Sequence, residues 1–317
     1  MYPGDFADSL KDVPCFIMAN TGKVVTYGEF EERTNRLANL LRDQGLQPGD
    51  HYSIFMENNE RYLESCGAGA RSGLYYTCIN SYLTADEAAF IINDSLSKVL
   101  ITSAAKQEIA LTALESCPNI ELCLVVDGLA GRDQYKDFET EVAKFPSGPI
   151  ADERFGTSML YSSGTTGRPK GILRPLPDNP PNEALPLYEF LSKLWQCREG
   201  MRYLSPAPLY HSAPNAAVSL TIRSGGTAII MEKFDPEQYL QLVNQHRITH
   251  SQLVPTMFSR MLKMPREVRA AYDTSSLEYV VHAAAPCPIP VKQEMIEWWG
   301  PIIHEYYGAT EGLGFAY

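Results

Sequence analysis

The sequence lacks several features that mark particular classes of protein. No apolar run approaches the ~20 residues that span a bilayer, and the N-terminal segment, with Asp5 and Asp8, has no signal-peptide core. The seven cysteines include no Cys-x-x-Cys pair, which disfavours a zinc site and a disulfide framework. Basic residues are scarce, 27 against 38 acidic ones, which disfavours a nucleic-acid-binding surface. We therefore expect a cytoplasmic protein with free thiols and no transmembrane segment; peripheral membrane contact and a homodimer stay open.

What the sequence does contain predicts an α/β fold. Capping boxes, Thr26 with Glu29 and Thr84 with Glu87, indicate helix starts, and Asp235 with Pro236 indicates another. Short apolar strands alternate with the helices, which is typical of a mostly parallel sheet covered on both faces. We expect two α/β subdomains, residues 1–155 and 156–317, with residues 146–154 as the linker. Residues 175–186 carry five prolines and are expected to be irregular.

The most informative stretch is residues 161–171, with the sequence YSSGTTGRPKG. Its glycines permit close backbone approach, so consecutive N–H groups can point into one concavity. Its hydroxyl groups add hydrogen-bond donors, and Lys170 adds a positive charge suited to phosphate oxygens. A plain polar turn would not need so many donors beside a lysine, so the stretch predicts a phosphate-binding loop. It is not a Walker loop, because the required glycine spacing is absent.

Two later segments accompany this stretch. They are YYGATEG at residues 306–312 and PLYH at residues 208–211. In this order and spacing, the three motifs resemble the signatures of the adenylate-forming, AMP-binding superfamily, and most closely those of acyl-CoA synthetases. The resemblance covers nearly the whole chain. It implies two mostly parallel, helix-covered sheets packed together, as in the large N-terminal domain of those enzymes.

The resemblance also implies which residues bind the nucleotide. Lys170 would close a loop that wraps the ATP phosphates, Tyr307 would stack on adenine, and Thr310 would bond the α-phosphate. Glu311 would hold Mg²⁺ together with the Ser162 hydroxyl, since Mg²⁺ prefers oxygen ligands. The full set of expected nucleotide-binding residues is Ser162, Ser163, Gly164, Thr165, Thr166, Gly167, Lys170, Ala283, Ala284, Ala285, Pro286, Tyr306, Tyr307, Gly308 and Thr310.

The resemblance places the acyl substrate near two further segments. Tyr210 and His211 would line its pocket, although a lone histidine after an apolar strand is often structural. Val254 and Pro255 begin a segment similar to one that lines the family's acyl tunnel, but its aromatic and methionine content suits a plain core equally well. Lys170, His211, Thr310 and Glu311 are the expected catalytic residues.

The implied reaction is the ATP- and Mg²⁺-dependent activation of a hydrophobic carboxylic acid as acyl-AMP, followed by transfer to CoA. The family's fold continues beyond the Thr-Glu motif into a barrel-like part with a ribose-binding Asp and a C-terminal lid with a catalytic Lys. The chain is therefore expected to be an N-terminal part with little activity alone. Two alternatives remain: an adenylation domain that loads a carrier protein, and a non-catalytic nucleotide-binding or scaffold protein.

Overall fold

The computed structural model describes residues 1–128, 135–162, 169–183, 185–308 and 315–316. A short 3-10 helix, Gly4–Phe6, precedes the regular elements. The helices are α1 (Tyr27–Asp43), α2 (Glu60–Ser72), α3 (Ala85–Asp94), α4 (Gln107–Leu114), α5 (Phe138–Val142), α6 (Pro186–Leu194), α7 (Ser212–Arg223), α8 (Pro236–His246), α9 (Pro255–Leu262), α10 (Arg266–Ala270) and α11 (Ile289–Trp299). The strands are β1 (Pro14–Met18), β2 (Val24–Thr26), β3 (His51–Phe55), β4 (Tyr75–Cys78), β5 (Ser97–Ser103), β6 (Leu122–Val126), β7 (Tyr135–Asp137), β8 (Thr157–Ser162), β9 (Lys170–Ile172), β10 (Arg202–Ser205), β11 (Thr227–Ile230), β12 (His250–Leu253), β13 (Tyr279–His282), β14 (Ile303–Glu305), β15 (Tyr307–Gly308) and β16 (Phe315–Ala316).

The chain divides into two compact units. The first contains Met1–Val13, Thr26–Ala184 and Leu209–Ser212, and the second contains Pro14–Val25, Leu185–Pro208 and Ala213–Tyr317. Residues 146–154, expected as a linker, lie inside the first unit, where Glu153 pairs with the fully buried Arg71 at 3.0 Å. The expected domain boundary between residues 155 and 156 stays a prediction.

The first unit is built on a seven-stranded sheet in the order β7-β6-β5-β3-β4-β8-β9. Neighbouring strands are parallel from β7 to β8, whereas β8 and β9 form an antiparallel hairpin. Both predicted capping boxes are present at the starts of α1 and α3. On one face of the sheet, Phe55, Leu100 and Val125 pack with α3 and α4 residues into a hydrophobic cluster.

The second unit is built on another seven-stranded sheet, in the order β14-β13-β12-β10-β11-β1-β2. Neighbouring strands from β14 to β1 are parallel. The sequence analysis missed β1, whose Phe16 pairs with Ala228 on β11 although the two are distant in sequence. Asp235 caps α8 as predicted, with its carboxylate accepting from the N–H groups of Glu237 and Gln238. The predicted α/β class with two mostly parallel, helix-covered sheets is therefore confirmed.

The proline-rich stretch behaves as its composition predicts. Residues 173–183 form neither helix nor strand within the part of the chain that the structure describes. Pro186, the last of the five prolines, occupies the first turn of α6, where its missing N–H costs nothing. None of the described helices is long and apolar enough to cross a membrane.

Candidate functional site

The predicted phosphate loop is held between the two strands of a hairpin in the first unit. Ser162, the last residue of β8, pairs with Lys170, the first residue of β9. Lys170 is exposed and forms no ion pair with any of the described residues. The remaining loop residues of the prediction lie outside the described residues: Ser163, Gly164, Thr165, Thr166 and Gly167. The hairpin thus places a hydroxyl-bearing residue and a lysine opposite each other where the loop begins and ends.

Side chains outside the hairpin fix its two strands. The Tyr161 hydroxyl donates to Asp94 Oδ2 at 2.6 Å, and burial of the ring together with this carboxylate raises the pKa of Tyr161. On the return strand, a Cβ at Gly171 would lie 2.6 Å from Met159 Cε and 3.0 Å from Tyr161 Cζ, so a larger residue there would displace these side chains. Beyond β9, the Tyr75 hydroxyl donates to the Arg174 carbonyl at 2.5 Å. These contacts hold the stem of the hairpin in one position.

Tyr210 and His211 belong to the first unit as well. The preceding Leu209 is buried, and its backbone N–H donates to Asn58 Oδ1 at 2.8 Å. The rings of Tyr210 and His211 lie 4.3 Å apart, and the His211 side chain is exposed. Protein atoms around the imidazole exclude water from part of it, which lowers the pKa of His211 and favours the neutral ring. Their predicted role in substrate binding stays a prediction.

In the second unit, the segment expected to lie against adenine directly follows β13. Ala283 is buried, whereas Ala284, Ala285 and Pro286 are exposed. Ala284 has a φ of +75°, in the left-handed region that favours glycine. A non-glycine residue in this region costs about 1 kcal/mol or more and is enriched at functional sites.

The Tyr306–Tyr307 motif lies next to that segment. Glu305 on β14 pairs with His282 on β13, and the Tyr306 N–H donates to the His282 carbonyl at 3.2 Å. Tyr306 is half-buried, and its hydroxyl accepts from Gln252 Nε2 at 2.7 Å. Tyr307 is 80% exposed. Of the two predicted tyrosines, Tyr307 is therefore the exposed one among the described residues, while Tyr306 is directed towards the sheet.

The residues expected to bind the α-phosphate and Mg²⁺, Thr310 and Glu311, lie outside the described residues. Gly308, which precedes them, belongs to β15 and pairs with Phe315 on β16. Among the described residues, no group of three or more His, Cys, Asp or Glu side chains could hold a metal ion. The Ser162 hydroxyl is therefore the one predicted magnesium ligand whose position the structure describes.

Val254 and Pro255 mark the start of α9. Val254 is the N-cap residue and Pro255 occupies the first turn. The following Met257 and Phe258 are buried in the hydrophobic cluster of the second unit, and Val254 packs against that cluster. The segment thus contributes to the core, which was one of its two expected roles. Its role in substrate binding stays a prediction.

Sequence reasoning missed Gln252 and Trp195, which surround Tyr306. Gln252 hydrogen-bonds the Tyr306 hydroxyl, and the Trp195 and Tyr306 ring centres lie 6.0 Å apart. One signal could have revealed Gln252. Strands of parallel sheets covered on both faces are usually apolar throughout, whereas β12 reads His-Ser-Gln-Leu. Polar residues in such a strand indicate a face with a function other than packing.

The fold is shared with solved structures of other proteins. The chain resembles the N-terminal domain of FACL13 from Mycobacterium tuberculosis with a TM-score of 0.81 at 23% identity, covering 97% of this chain and 75% of that one. It also resembles the anthranilate CoA ligase AuaEII in complex with anthranoyl-AMP, with a TM-score of 0.82 at 20% identity, covering 97% and 59%. Both likenesses establish the same fold.

The family follows from the sequence itself. Residues 5–317 match the family model described as AMP-binding enzyme, so the chain belongs to that family. Curated relatives include feruloyl-CoA synthase from Amycolatopsis, 31% identical over 92% of this chain and 55% of its own length. Another is the medium/long-chain-fatty-acid–CoA ligase FadD8 of Mycobacterium tuberculosis, 28% identical over 90% of this chain and 50% of its own. The chain spans about half the length of these curated relatives.

Proposed function

We propose that the protein is part of a carboxylic acid–CoA ligase. ATP and the acid form acyl-AMP and pyrophosphate, and the thiol of CoA then displaces AMP to give the thioester. The observation that carries this proposal is the match to the AMP-binding enzymes over residues 5–317. The feruloyl-CoA synthase and fatty-acid–CoA ligase relatives support a hydrophobic acid as the substrate.

The hairpin of the first unit supports a role in phosphate binding. Attack of a carboxylate on the α-phosphate joins two anions, so charge neutralisation and alignment are the main requirements. The nucleophile is already ionised at neutral pH and needs no general base. Lys170 offers an exposed ammonium group, and Ser162 pairs with it across the hairpin. We assign Lys170 to the β- and γ-phosphates and the Ser162 hydroxyl to Mg²⁺ or phosphate.

The second unit supports a role in adenine binding. Tyr307 leaves 80% of its surface exposed beside a segment of small residues, Ala283 to Pro286. An exposed aromatic ring gains from being covered, and every base has a face on which it can stack. We assign adenine to the space between Tyr307 and this segment, the α-phosphate to Thr310 and Mg²⁺ to Glu311. Mg²⁺ would supply positive charge for the departing pyrophosphate.

Titration of the 317-residue chain with ATP and Mg²⁺ tests these assignments. Lys170→Ala is expected to weaken ATP binding roughly tenfold to a hundredfold, as loss of a charged hydrogen bond does. Lys144→Ala is the matched control, because Lys144 is an exposed lysine of the same unit that pairs with Glu141 at 2.7 Å. Equal affinities for the wild type and Lys170→Ala would contradict the phosphate assignment.

The adenine and magnesium assignments are tested in the same titration. Tyr307→Ala should weaken binding about tenfold through lost stacking, whereas Tyr272→Ala, a partly exposed tyrosine of the same unit, should not. Glu311→Gln should weaken binding of ATP with Mg²⁺ more than binding of ATP alone. A Glu311→Gln effect independent of Mg²⁺ would remove this residue from the metal site.

Catalysis by the 317-residue chain alone is expected to be poor. The chain spans about half the length of its curated relatives, and the resemblance assigns the ribose-binding Asp and the catalytic Lys of the lid to later parts of the family fold. Pyrophosphate release from ATP and a hydrophobic acid measures this directly. Robust release by the 317-residue chain would contradict the expectation, and thioester formation with CoA rather than with a carrier protein identifies the acceptor.

A further inference from the structure

The hairpin that carries the phosphate loop extends beyond the first sheet. β8 pairs with its parallel neighbour β4 through Thr157, Ser158 and Met159. Its last three residues, 160–162, pair with β9, which is the edge strand of the sheet. The end of the hairpin is therefore a two-stranded ribbon, and a two-stranded ribbon by itself is at best marginally stable in water. A contact that fixes this ribbon would also fix the residues expected to bind phosphate.

Tyr161 lies in the middle of the ribbon. It pairs directly with Gly171 on β9, and a Cβ at Gly171 would lie 3.0 Å from the Tyr161 Cζ atom and 3.1 Å from its hydroxyl oxygen. The Tyr161 ring therefore covers β9 at the one residue of that strand without a side chain. The ring also packs against the hydrophobic cluster of the first unit. Tyr161 thus connects both strands of the ribbon to the body of the first unit.

The polar end of the Tyr161 ring is held by Asp94, the last residue of α3. The hydroxyl donates to Asp94 Oδ2 at 2.6 Å, which is the short distance expected when the acceptor is a carboxylate. Burial of the ring, together with the carboxylate, raises the pKa of Tyr161, so the phenol keeps the proton that it donates. The bond ties the ribbon to a helix of the first unit one residue before Ser162.

The position of Asp94 is unfavourable for the helix itself. The C-terminus of a helix carries a partial negative charge, so a basic side chain is stabilising there and a carboxylate is not. The start of α3 follows this rule, with Asp86 and Glu87 in the first turn, but the last turn has no basic residue and ends on Asp94. The Asp94 carboxylate therefore does not serve the stability of α3, which indicates that its role lies in the bond to Tyr161.

Anchoring Tyr161 also determines where its neighbours lie. Successive side chains of a strand lie on opposite faces, so Ser162 lies on the face opposite to Tyr161. Directly opposed residues of an antiparallel pair share a face, which places Lys170 on the same face as Ser162. With Tyr161 held on the side of α3, the Ser162 hydroxyl and the Lys170 ammonium group are held together on the other side.

We propose that Asp94 is a positioning residue for phosphate binding: by accepting from the Tyr161 hydroxyl, it fixes the ribbon that presents Ser162 and Lys170 to the triphosphate. This rests on the proposed function and adds to it a residue outside the loop that controls the affinity for ATP. Asp94 acts through Tyr161 and does not contact the nucleotide. Without the bond, the apparent affinity falls in proportion to the fraction of molecules that have the ribbon in place.

Titration of the 317-residue chain with Mg²⁺ and ATP, and separately with Mg²⁺ and tripolyphosphate, tests the proposal. Asp94→Ala should weaken the binding of both ligands about tenfold, because both use the phosphate loop. Tyr161→Phe keeps the ring but removes the hydroxyl, so it should weaken binding to the same extent. The double variant should bind no more weakly than either single variant. Asp94→Asn keeps an acceptor oxygen and should bind within about twofold of the wild type.

Two variants are matched controls. Asp86→Ala removes an exposed carboxylate from the other end of α3, and Tyr272→Phe removes a hydroxyl that donates to Glu237 Oε1 at 2.9 Å in the second unit. Neither should change the affinity for ATP or tripolyphosphate. Urea denaturation separates positioning from folding. Asp94→Ala should unfold at the same urea concentration as the wild type, since the loss of one exposed hydrogen bond is offset by removal of the carboxylate from the helix C-terminus.

Several outcomes overturn the proposal. Wild-type affinity in Asp94→Ala or Tyr161→Phe would show that the bond does not position the loop. Equally weak binding by Asp94→Asn and Asp94→Ala, or tighter binding by both, would show that the charge of Asp94 acts rather than its bond. Weaker binding that is matched by a loss of stability would make Asp94 a structural residue.

Lys170→Ala, measured in the same titration, judges the proposed function separately. If Lys170→Ala weakens ATP binding and Asp94→Ala does not, the proposed function stands and the positioning role of Asp94 fails. Absence of ATP binding by the wild type would contradict both.

Discussion

Two faces of the strands β10, β12 and β13 differ in composition. The core face carries Leu204, Leu253 and Val280 together with the fully buried His282, and the polar face carries Tyr203, His250 and Gln252. On the core face, Leu204, Leu253 and Val280 pack against Met257 and Phe258 of α9. The polar face is equally buried, yet it carries tyrosine, histidine and glutamine. Burying such groups costs free energy unless each finds a partner. The comparison predicts that truncations on the core face cost more stability than the removal of single polar groups from the polar face.

The largest expected effect comes from a truncation on the core face. Phe258 is fully buried and makes an edge-to-face contact with Trp299, with ring centres 6.3 Å apart. Phe258→Ala removes this packing and leaves a cavity, so the free energy of unfolding should fall by about 3–5 kcal/mol. Urea denaturation measures the change. Phe190→Ala, at a side chain that is 53% exposed, is the control and should cost under about 1 kcal/mol.

A small effect of Phe258→Ala on stability would contradict the role assigned to the core face. If this variant lost no more stability than Phe190→Ala, the core face would not be the main source of stability in the second unit.

The next largest effect is a pH dependence that arises on the polar face. Burial, followed by the charge of Arg198, lowers the pKa of His250 from 6.5 to about 4, against a smaller opposing effect of Glu278. Between pH 6.5 and 4 the unfolded chain therefore binds a proton that the folded chain does not, so stability falls as the pH falls. The loss reaches about 3 kcal/mol near pH 4.

His250→Phe removes the titrating group and should flatten this part of the stability profile. Thr249→Val removes the hydroxyl that lies 2.8 Å from His250 Nδ1 but keeps the ring, so the slope should persist. The free energy of unfolding, measured by urea denaturation at several pH values, distinguishes the variants. An unchanged slope in His250→Phe would show that other groups govern acid stability.

A smaller effect is expected at the bond that joins the polar face to the nucleotide motif. Gln252→Leu removes the donor to the Tyr306 hydroxyl, which should lower stability by about 1 kcal/mol and weaken ATP binding about threefold through misplacement of Tyr307. Tyr306→Phe removes the other partner. In a double-mutant cycle the two changes should be strongly non-additive. Additive losses would mean that the bond does not position the motif.

The sequence was sufficient to predict the α/β architecture but not the position of the polar residues on β10 and β12. Capping boxes and alternating strands predicted α1, α3 and the parallel sheets, because these depend on local patterns. The sequence analysis missed β1. Phe16 of this strand pairs with Ala228 of β11, more than two hundred residues away, and no local pattern specifies that pairing. Gln252 was missed for a similar reason. Only the register of β12 and β13, together with Tyr306, shows that its side chain lies at a pocket.

The smallest expected effect on stability comes from removing one tyrosine hydroxyl from each face. Tyr203 and Tyr239 are both buried, and neither hydroxyl has a hydrogen bond of normal geometry among the described residues. Tyr203 lines a cavity that can hold water, whereas Tyr239 packs among the apolar residues of the core face. Removing an unsatisfied hydroxyl is stabilising, so Tyr239→Phe should raise the free energy of unfolding by up to about 1 kcal/mol. Tyr203→Phe should leave it unchanged or lower it slightly if a water molecule enters the adjoining cavity and bonds that hydroxyl. Thermal and urea unfolding of both variants measure the difference. Equal gains in stability would mean that no water bonds the Tyr203 hydroxyl and that the two hydroxyls are equally unsatisfied.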